Sequence, residues 1–211
     1  MPDLTALSKA IVEGHRTHAV AWTGEALEAG TDPALILDAL VGGMEEIGRL
    51  WKANEVFVPE VLIAARAMKE SMQVLEPRLA EGGVKPEATA VIGTVRGDLH
   101  DIGKNLVAMM WKGANIRVYD VGTNAAPEDF IKAAKENDAD VIGLSALLTT
   151  TMPAMKSTVQ AIRAAGLTNV KIIIGGAPVT QAYADEIGAD GYAPDAVTAI
   201  DHLRQAVGLA N

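Results

Sequence analysis

Apolar side chains recur three or four residues apart along the first part of the chain and then condense into short unbroken runs. Leu37, Leu40, Val41, Met44, Ile47 and Trp51 keep the helical spacing, as do Val61, Leu62, Ala65, Met68, Met72 and Leu75, and each set predicts an amphipathic helix. Asp32-Pro33 opens the first of them, with an N-cap carboxylate followed by proline where no amide hydrogen is needed; Pro59 opens the second. Leu4, Leu7, Ile11 and Val12, then Val20 and Leu27 ahead of Gly30, predict two further helices. Four helices with short connections pack most simply as a bundle, here over residues 1–84.

Glu81-Gly82-Gly83-Val84-Lys85-Pro86 reads as a linker. Beyond it, β-branched apolar runs alternate with helical stretches: Ala90 to Val95, Ile116 to Tyr119, Val141 to Leu144, Val170 to Ile174, and a weaker run at Gly191-Tyr192. Runs without polar alternation are buried on both faces, and strand–helix alternation demands right-handed crossovers. Residues 89–211 are therefore expected to form a five-stranded parallel sheet flanked by helices. Ligands of such sheets bind beyond the carboxyl ends of the strands, so the chemistry is sought in the loops that follow them.

Composition narrows the field. The 211 residues carry 18 Lys and Arg against 27 Asp and Glu, a net charge of −9, which argues against nucleic acid and anionic membranes as partners. Apolar residues make up 49% of the chain but aromatics only 4%, so the core is aliphatic. The absence of cysteine excludes disulfides, thiolate zinc sites, iron–sulfur clusters and cysteine nucleophiles. No apolar run approaches the ~20 residues that span a bilayer, and the first residues lack a basic leader followed by an apolar stretch. A soluble cytoplasmic protein is expected.

The first strand is followed by Gly97-Asp98-Leu99-His100-Asp101-Ile102-Gly103-Lys104-Asn105, the third by Ser145-Ala146-Leu147-Leu148-Thr149-Thr150-Thr151, and the fourth by Gly175-Gly176-Ala177-Pro178. A phosphate-loop reading of the first fails, because five residues rather than four separate the glycines and Asn105 stands where a Ser or Thr should meet magnesium. No Gly-x-Gly-x-x-Gly fingerprint follows the strand either. The alternative is a metal ligand at His100, because an imidazole that binds a metal through one nitrogen commonly donates its other N–H to a carboxylate, and Asp98 lies two residues away. One histidine alone is no metal cage, and a polar loop residue is the plain reading until the other loops are weighed.

Residues 104–144, 41 in all, separate Gly103 from Ser145, and residues 148–174, 27 in all, separate Leu147 from Gly175-Gly176. With Asp-x-His-x-x-Gly, Ser-x-Leu and Gly-Gly in this order and spacing, the second half resembles the cobalamin-binding modules of methionine synthase, of certain mutases and of methyltransferase corrinoid proteins. The fold implied is α/β, an N-terminal four-helix bundle cap followed by a Rossmann-like (flavodoxin-like) five-stranded parallel sheet. The resemblance also implies a cobamide, methylcobalamin in its loaded form, with its own lower base displaced and His100 on the lower face of cobalt. The displaced nucleotide tail would run past Ser145, Leu147, Gly175 and Gly176, where glycine admits a close approach of ligand to backbone. Asp101, Gly103, Thr149, Tyr192 and Ala193 are further candidate cofactor contacts. Asp98 would accept the His100 hydrogen bond, and Thr151 stands where the methionine synthase module has a serine that completes a proton relay. A hydroxyl that caps its own helix is the other reading of Thr151.

The first half, with Gly42-Gly43-Met44-Glu45-Glu46-Ile47-Gly48-Arg49-Leu50-Trp51 and Phe57-Val58-Pro59-Glu60-Val61-Leu62, resembles the helical cap that precedes such modules. Trp51 and Val58 match the positions that shield the upper corrin face. Taken alone, Trp51 would be ordinary bundle core; the second-half motifs favour the cap. A mutase would need a barrel domain, for which the chain has no room. The function implied is a methyl carrier serving a substrate-specific corrinoid methyltransferase and a second methyltransferase that delivers to tetrahydrofolate or a thiol, with a reductive activation protein as a further partner. The bundle is expected to swing as a unit on the linker near residues 82–88. The alternatives are a cobalamin-dependent sensor, which would need an output element, and a mutase small subunit. His15, His18 and His202 are expected at solvent-exposed positions, and Glu45-Glu46 and Lys135-Glu136 on solvated faces.

Overall fold

The structure, a computed structural model, describes residues 3–209. The chain divides into two compact units, Met1–Pro86 with Lys112–Asn115 and Glu87–Trp111 with Ile116–Asn211. Of the expected spans 1–84 and 89–211, positions 1, 2, 210 and 211 lie outside the described residues.

The first unit contains the four expected helices: α1 (Leu4–Val12), α2 (Arg16–Glu28), α3 (Pro33–Lys52) and α4 (Val58–Glu81). Asp3 caps α1 by accepting the Thr5 and Ala6 amides, and Asp32 caps α3 by accepting that of Ala34 at 2.9 Å. Leu37, Leu40, Met44 and Ile47 of α3 are buried, as are Val61, Ala65, Met68 and Leu75 of α4. Gly43 lets α1 and α3 touch, since a Cβ there would lie 2.7 Å from both the Ser8 carbonyl oxygen and Ile11 Cβ. The buried face of α2 differs from the expected one. It is Ala19, Thr23 and Ala26, while Val20 and Leu27 are only half-buried. Small side chains allow α2 to lie close to its neighbours, and Thr23 satisfies its hydroxyl by donating to the Ala19 carbonyl at 2.7 Å. Leu62, on the expected stripe of α4, is exposed.

The second unit alternates strands and helices: β1 (Ala88–Thr94), α5 (Ile102–Gly113), β2 (Ile116–Asp120), α6 (Pro127–Glu136), β3 (Val141–Ser145), α7 (Met152–Ala164), β4 (Lys171–Gly175), α8 (Gln181–Ile187), β5 (Gly191–Ala193) and α9 (Thr198–Ala206). All neighbouring strands pair in parallel in the order β2-β1-β3-β4-β5. Every crossover returns to the same edge, so all strands end at one rim. Val91, Ile142, Leu144, Ile172 and Ile174 pack against Phe130 of α6, Met155, Val159 and Ile162 of α7, and Ala184 and Ile187 of α8. On the opposite face the Trp111 indole of α5 lies over Gly143 and donates to the Ala199 carbonyl of α9 at 3.0 Å. The order reverses between β1 and β3, and the loops that follow these two strands flank that switch point.

Candidate cofactor site

The loop after β1 turns at Gly97, whose φ of +85° suits glycine, and then buries the Asp98 carboxylate completely. One carboxylate oxygen accepts the His100 amide at 3.0 Å and faces His100 Nδ1 at 2.7 Å. The other accepts the Leu147 and Leu148 amides at 2.8 and 3.3 Å and the Thr151 hydroxyl at 2.7 Å. Asp98 thus staples the β1 loop to the β3 loop. Burial pushes its carboxyl up, but donors from His100, Thr151 and Leu147 outweigh that and hold it well below the usual carboxylate range. An ionised carboxylate accepts only, so the facing imidazole nitrogen carries the proton. The half-exposed ring keeps its Nε2 lone pair as an available donor to a metal.

Two further groups fix this loop. Thr94, fully buried at the end of β1, donates its hydroxyl to the His100 carbonyl at 2.9 Å. Asn124, at φ +52°, accepts the Gly97 amide through its side chain at 2.8 Å and donates its own amide to the Asp98 carbonyl at 2.9 Å. Near His100 in the chain, Leu99 and the first residue of α5, Ile102, are 72% and 81% exposed, and the loop after β3, tied to Asp98, exposes Leu147 at 43% and Leu148 at 42%. Such a cluster beside a held imidazole suits an apolar, metal-centred ligand rather than water.

The expected residues are brought together in two groups. Asp98, His100, Leu147 and Thr151 are in direct contact through the staple. Ser145, Gly175 and Ala193 fall in one register row, continued by Thr94 on β1, and no side chain larger than serine rises from that row in β3, β4 or β5. Tyr192 is half-buried next to it. Gly103 lies in the first turn of α5 with open space about it, Asp101 accepts from the Asn105 side chain at 3.0 Å, and Thr149 is exposed in the loop after β3. Trp51, half-buried at the end of α3, and Val58, exposed at the start of α4, belong to the helical unit.

Three expectations are refined. The Thr151 hydroxyl caps no amide of α7 and instead reaches Asp98, with the Leu148 carbonyl as its other neighbour at 2.8 Å. Gly175 and Gly176 answer to the chain itself. A Cβ on Gly176, at φ +130°, would lie 1.8 Å from the Ala146 carbonyl oxygen, and one on Gly175 would lie 3.1 Å from that of Ala193. His202 is half-buried rather than exposed, while His15 and His18 are exposed. No group of three or more metal-binding side chains occurs among the described residues. Sequence reasoning missed Thr94 and Asn124. Thr94 sits in an apolar run and carries no signature, but the loop after β2 ends at the same rim as the others, and its asparagine between Thr123 and Ala125 was the available signal.

Residues 88–201 match the family model of the B12 binding domain, and residues 4–76 match a second B12 binding domain model. The chain is 38% identical over 213 residues, 99% of each chain, to a corrinoid protein of Desulfitobacterium hafniense (strain Y51). It is 43% identical over 183 residues, 86% of each chain, to dimethylamine corrinoid protein 3 of Methanosarcina acetivorans. Among solved structures, the methanol:cobalamin methyltransferase complex of Methanosarcina barkeri contains a chain similar at a TM-score of 0.82 and 28% identity, covering 99% of this chain and 81% of that one. With the Asp98–His100 staple, the small-residue row and these matches in hand, the chain belongs to the cobalamin-binding corrinoid proteins of methyltransferase systems.

Proposed function

We propose that this chain is a methyl carrier, holding its cobalamin with the cofactor's own base displaced and His100 as the lower axial ligand of cobalt. The observation that carries the reading is the Asp98–His100 pair, in which Nδ1 is engaged at 2.7 Å and Nε2 remains the donor, with exposed Leu99, Ile102, Leu147 and Leu148 on the segments that the pair joins. When bound, the corrinoid supplies a cobalt centre able to accept and release a methyl group, which the polypeptide has no group to do. The chain's own residues orient and protect. Asp98 fixes the tautomer and direction of the imidazole and raises its basicity as a ligand. Thr151 lies in line behind Asp98 and His100, so a proton taken up or released at the imidazole has a hydrogen-bonded path through these three groups. Leu99, Ile102, Leu147 and Leu148, all exposed, offer apolar surface that a bound corrin ring would cover, and together they would keep water from the imidazole.

The row of Ser145, Gly175 and Ala193, with Tyr192 and Gly176 beside it, receives the nucleotide tail, and Asp101, Gly103 and Thr149 line its approach. Trp51 and Val58 of the helical unit add apolar cover, with residues 1–84 acting as cap and 89–211 as carrier. The partners are a substrate-specific methyltransferase, a second methyltransferase that passes the methyl group to tetrahydrofolate or a thiol, and a reductive activation protein, all in the cytoplasm. The test is the Co(II) EPR spectrum of the chain reconstituted with cobalamin and isotopically labelled histidine. Nitrogen coupling is expected in the parent and lost in His100→Ala; coupling that survives the substitution would remove His100 as the ligand.

A further inference from the structure

Lys104 is almost completely buried, at 3% exposure, in the first turn of α5, four residues after His100. A lysine is rarely so buried unless its charge is paired. Its ammonium donates to Asp120 at the end of β2 and to Asn105 Oδ1 at 2.7 Å. Asn105 in turn donates to Asp101, which adjoins His100, at 3.0 Å, and the free oxygen of Asp120 accepts the Gly122 amide at 2.8 Å. Gly122 leads directly to Asn124, the residue that holds Gly97 and Asp98 from the other side.

We infer that the Lys104–Asp120 pair is a positioning device for the lower ligand, an inference that rests on the ligand reading of His100. The loop that carries His100 has two ends, and the end of β2 with the loop after it grips both. Asn124 holds its entry at Gly97 and Asp98, while Asp120, through Lys104, holds its exit at the start of α5. His100 lies between the two grips, with its carbonyl tied to Thr94. Helix α5 begins only two residues after His100, so a shift of its first turn moves the imidazole relative to Asp98. A charged pair suits this task, because the ammonium is directed at two acceptors at once and cannot slip along an apolar surface.

Lys104→Met keeps the stem and its volume while removing the charge, and Asp120→Asn keeps the shape of the partner side chain while removing its charge. In the cofactor-free chain, hydrogen exchange of the His100 amide, which Asp98 holds, is compared with that of the central β3 amides. Both variants are expected to speed the first relative to the second about tenfold, the factor that follows from losing about 1.4 kcal/mol, within the range of one hydrogen bond, from the local opening energy. An unchanged ratio overturns the inference. After reconstitution with cobalamin, the nitrogen coupling from labelled histidine in the Co(II) spectrum is expected to weaken in both variants. Full coupling in the variants overturns it too, because a merely structural ion pair lowers stability without altering the ligand. Absence of coupling in the parent chain would instead remove the ligand reading itself, so the two failures are told apart.

Discussion

Replacing Asp98 by asparagine changes one atom of a buried side chain and tests most of the site. The amide nitrogen must take the place of one carboxylate oxygen. On the side facing Leu147, Leu148 and Thr151 it would meet two backbone N–H groups that cannot reverse their polarity. On the other side it meets one such group, the His100 amide, and an imidazole nitrogen that can. The second orientation is therefore expected. One N–H loses its acceptor, costing about 1–3 kcal/mol, and the four remaining bonds, the reversed one to Nδ1 included, lose their charge assistance, offset in part by the removal of a buried charge. The sum is about 2–4 kcal/mol, read by urea denaturation of the cofactor-free chain. The asparagine N–H would donate to Nδ1, so the ring proton moves to Nε2, the nitrogen assigned to cobalt. Histidine nitrogen NMR reads this directly, with Nδ1–H in the parent and Nε2–H in the variant. Stability within about 0.5 kcal/mol of the parent, the range of an ordinary surface substitution, or an unchanged tautomer would refute the account of Asp98.

Other expectations follow from the same geometry. An unfolded aspartate titrates near 3.8 while the folded Asp98 carboxyl is held well below that, so its contribution is complete above about pH 5 and is lost as the unfolded chain takes up its proton first. The stability gap between parent and Asp98→Asn should accordingly narrow as denaturation is followed downward from pH 5. Thr151→Val removes a donor to that carboxylate and should cost about 1.5–3 kcal/mol by denaturation, with Thr151→Ser recovering most of it. Gly143→Ala places a Cβ 2.8 Å from the rigid indole of Trp111 and 3.1 Å from Ile92; a loss of about 1–3 kcal/mol and an altered Trp111 emission spectrum are expected. Leu99→Asn and Ile102→Asn, at exposed positions, should leave the cofactor-free chain within about 0.5 kcal/mol of the parent while weakening corrinoid retention in equilibrium dialysis.

Much of this molecule is written locally. Helical spacing, the Asp32-Pro33 cap and the unbroken apolar runs each concern residues within a turn or a strand of one another, so four helices followed by five parallel strands could be read without coordinates. His100 and its neighbour Asp98 were legible for the same reason, since only Leu99 separates them and the loops after β1, β3 and β4 carry the matching signatures. Tertiary structure decided what depends on residues far apart in the chain. The buried face of α2 turned on the small residues Ala19, Thr23 and Ala26 because close helix packing, not hydrophobicity, selected them. Thr151 became a donor to Asp98, 53 residues away, and not a cap. Gly176 proved necessary because the Ala146 carbonyl passes beside it. Thr94, Asn124, Lys104 and Asp120 entered the site only when the sheet order placed the ends of β1, β2 and β3 side by side. A sequence pattern reports which residues are apolar and how they repeat; which polar groups share a buried acceptor is fixed by strand order and register, and those exist only once the chain has folded.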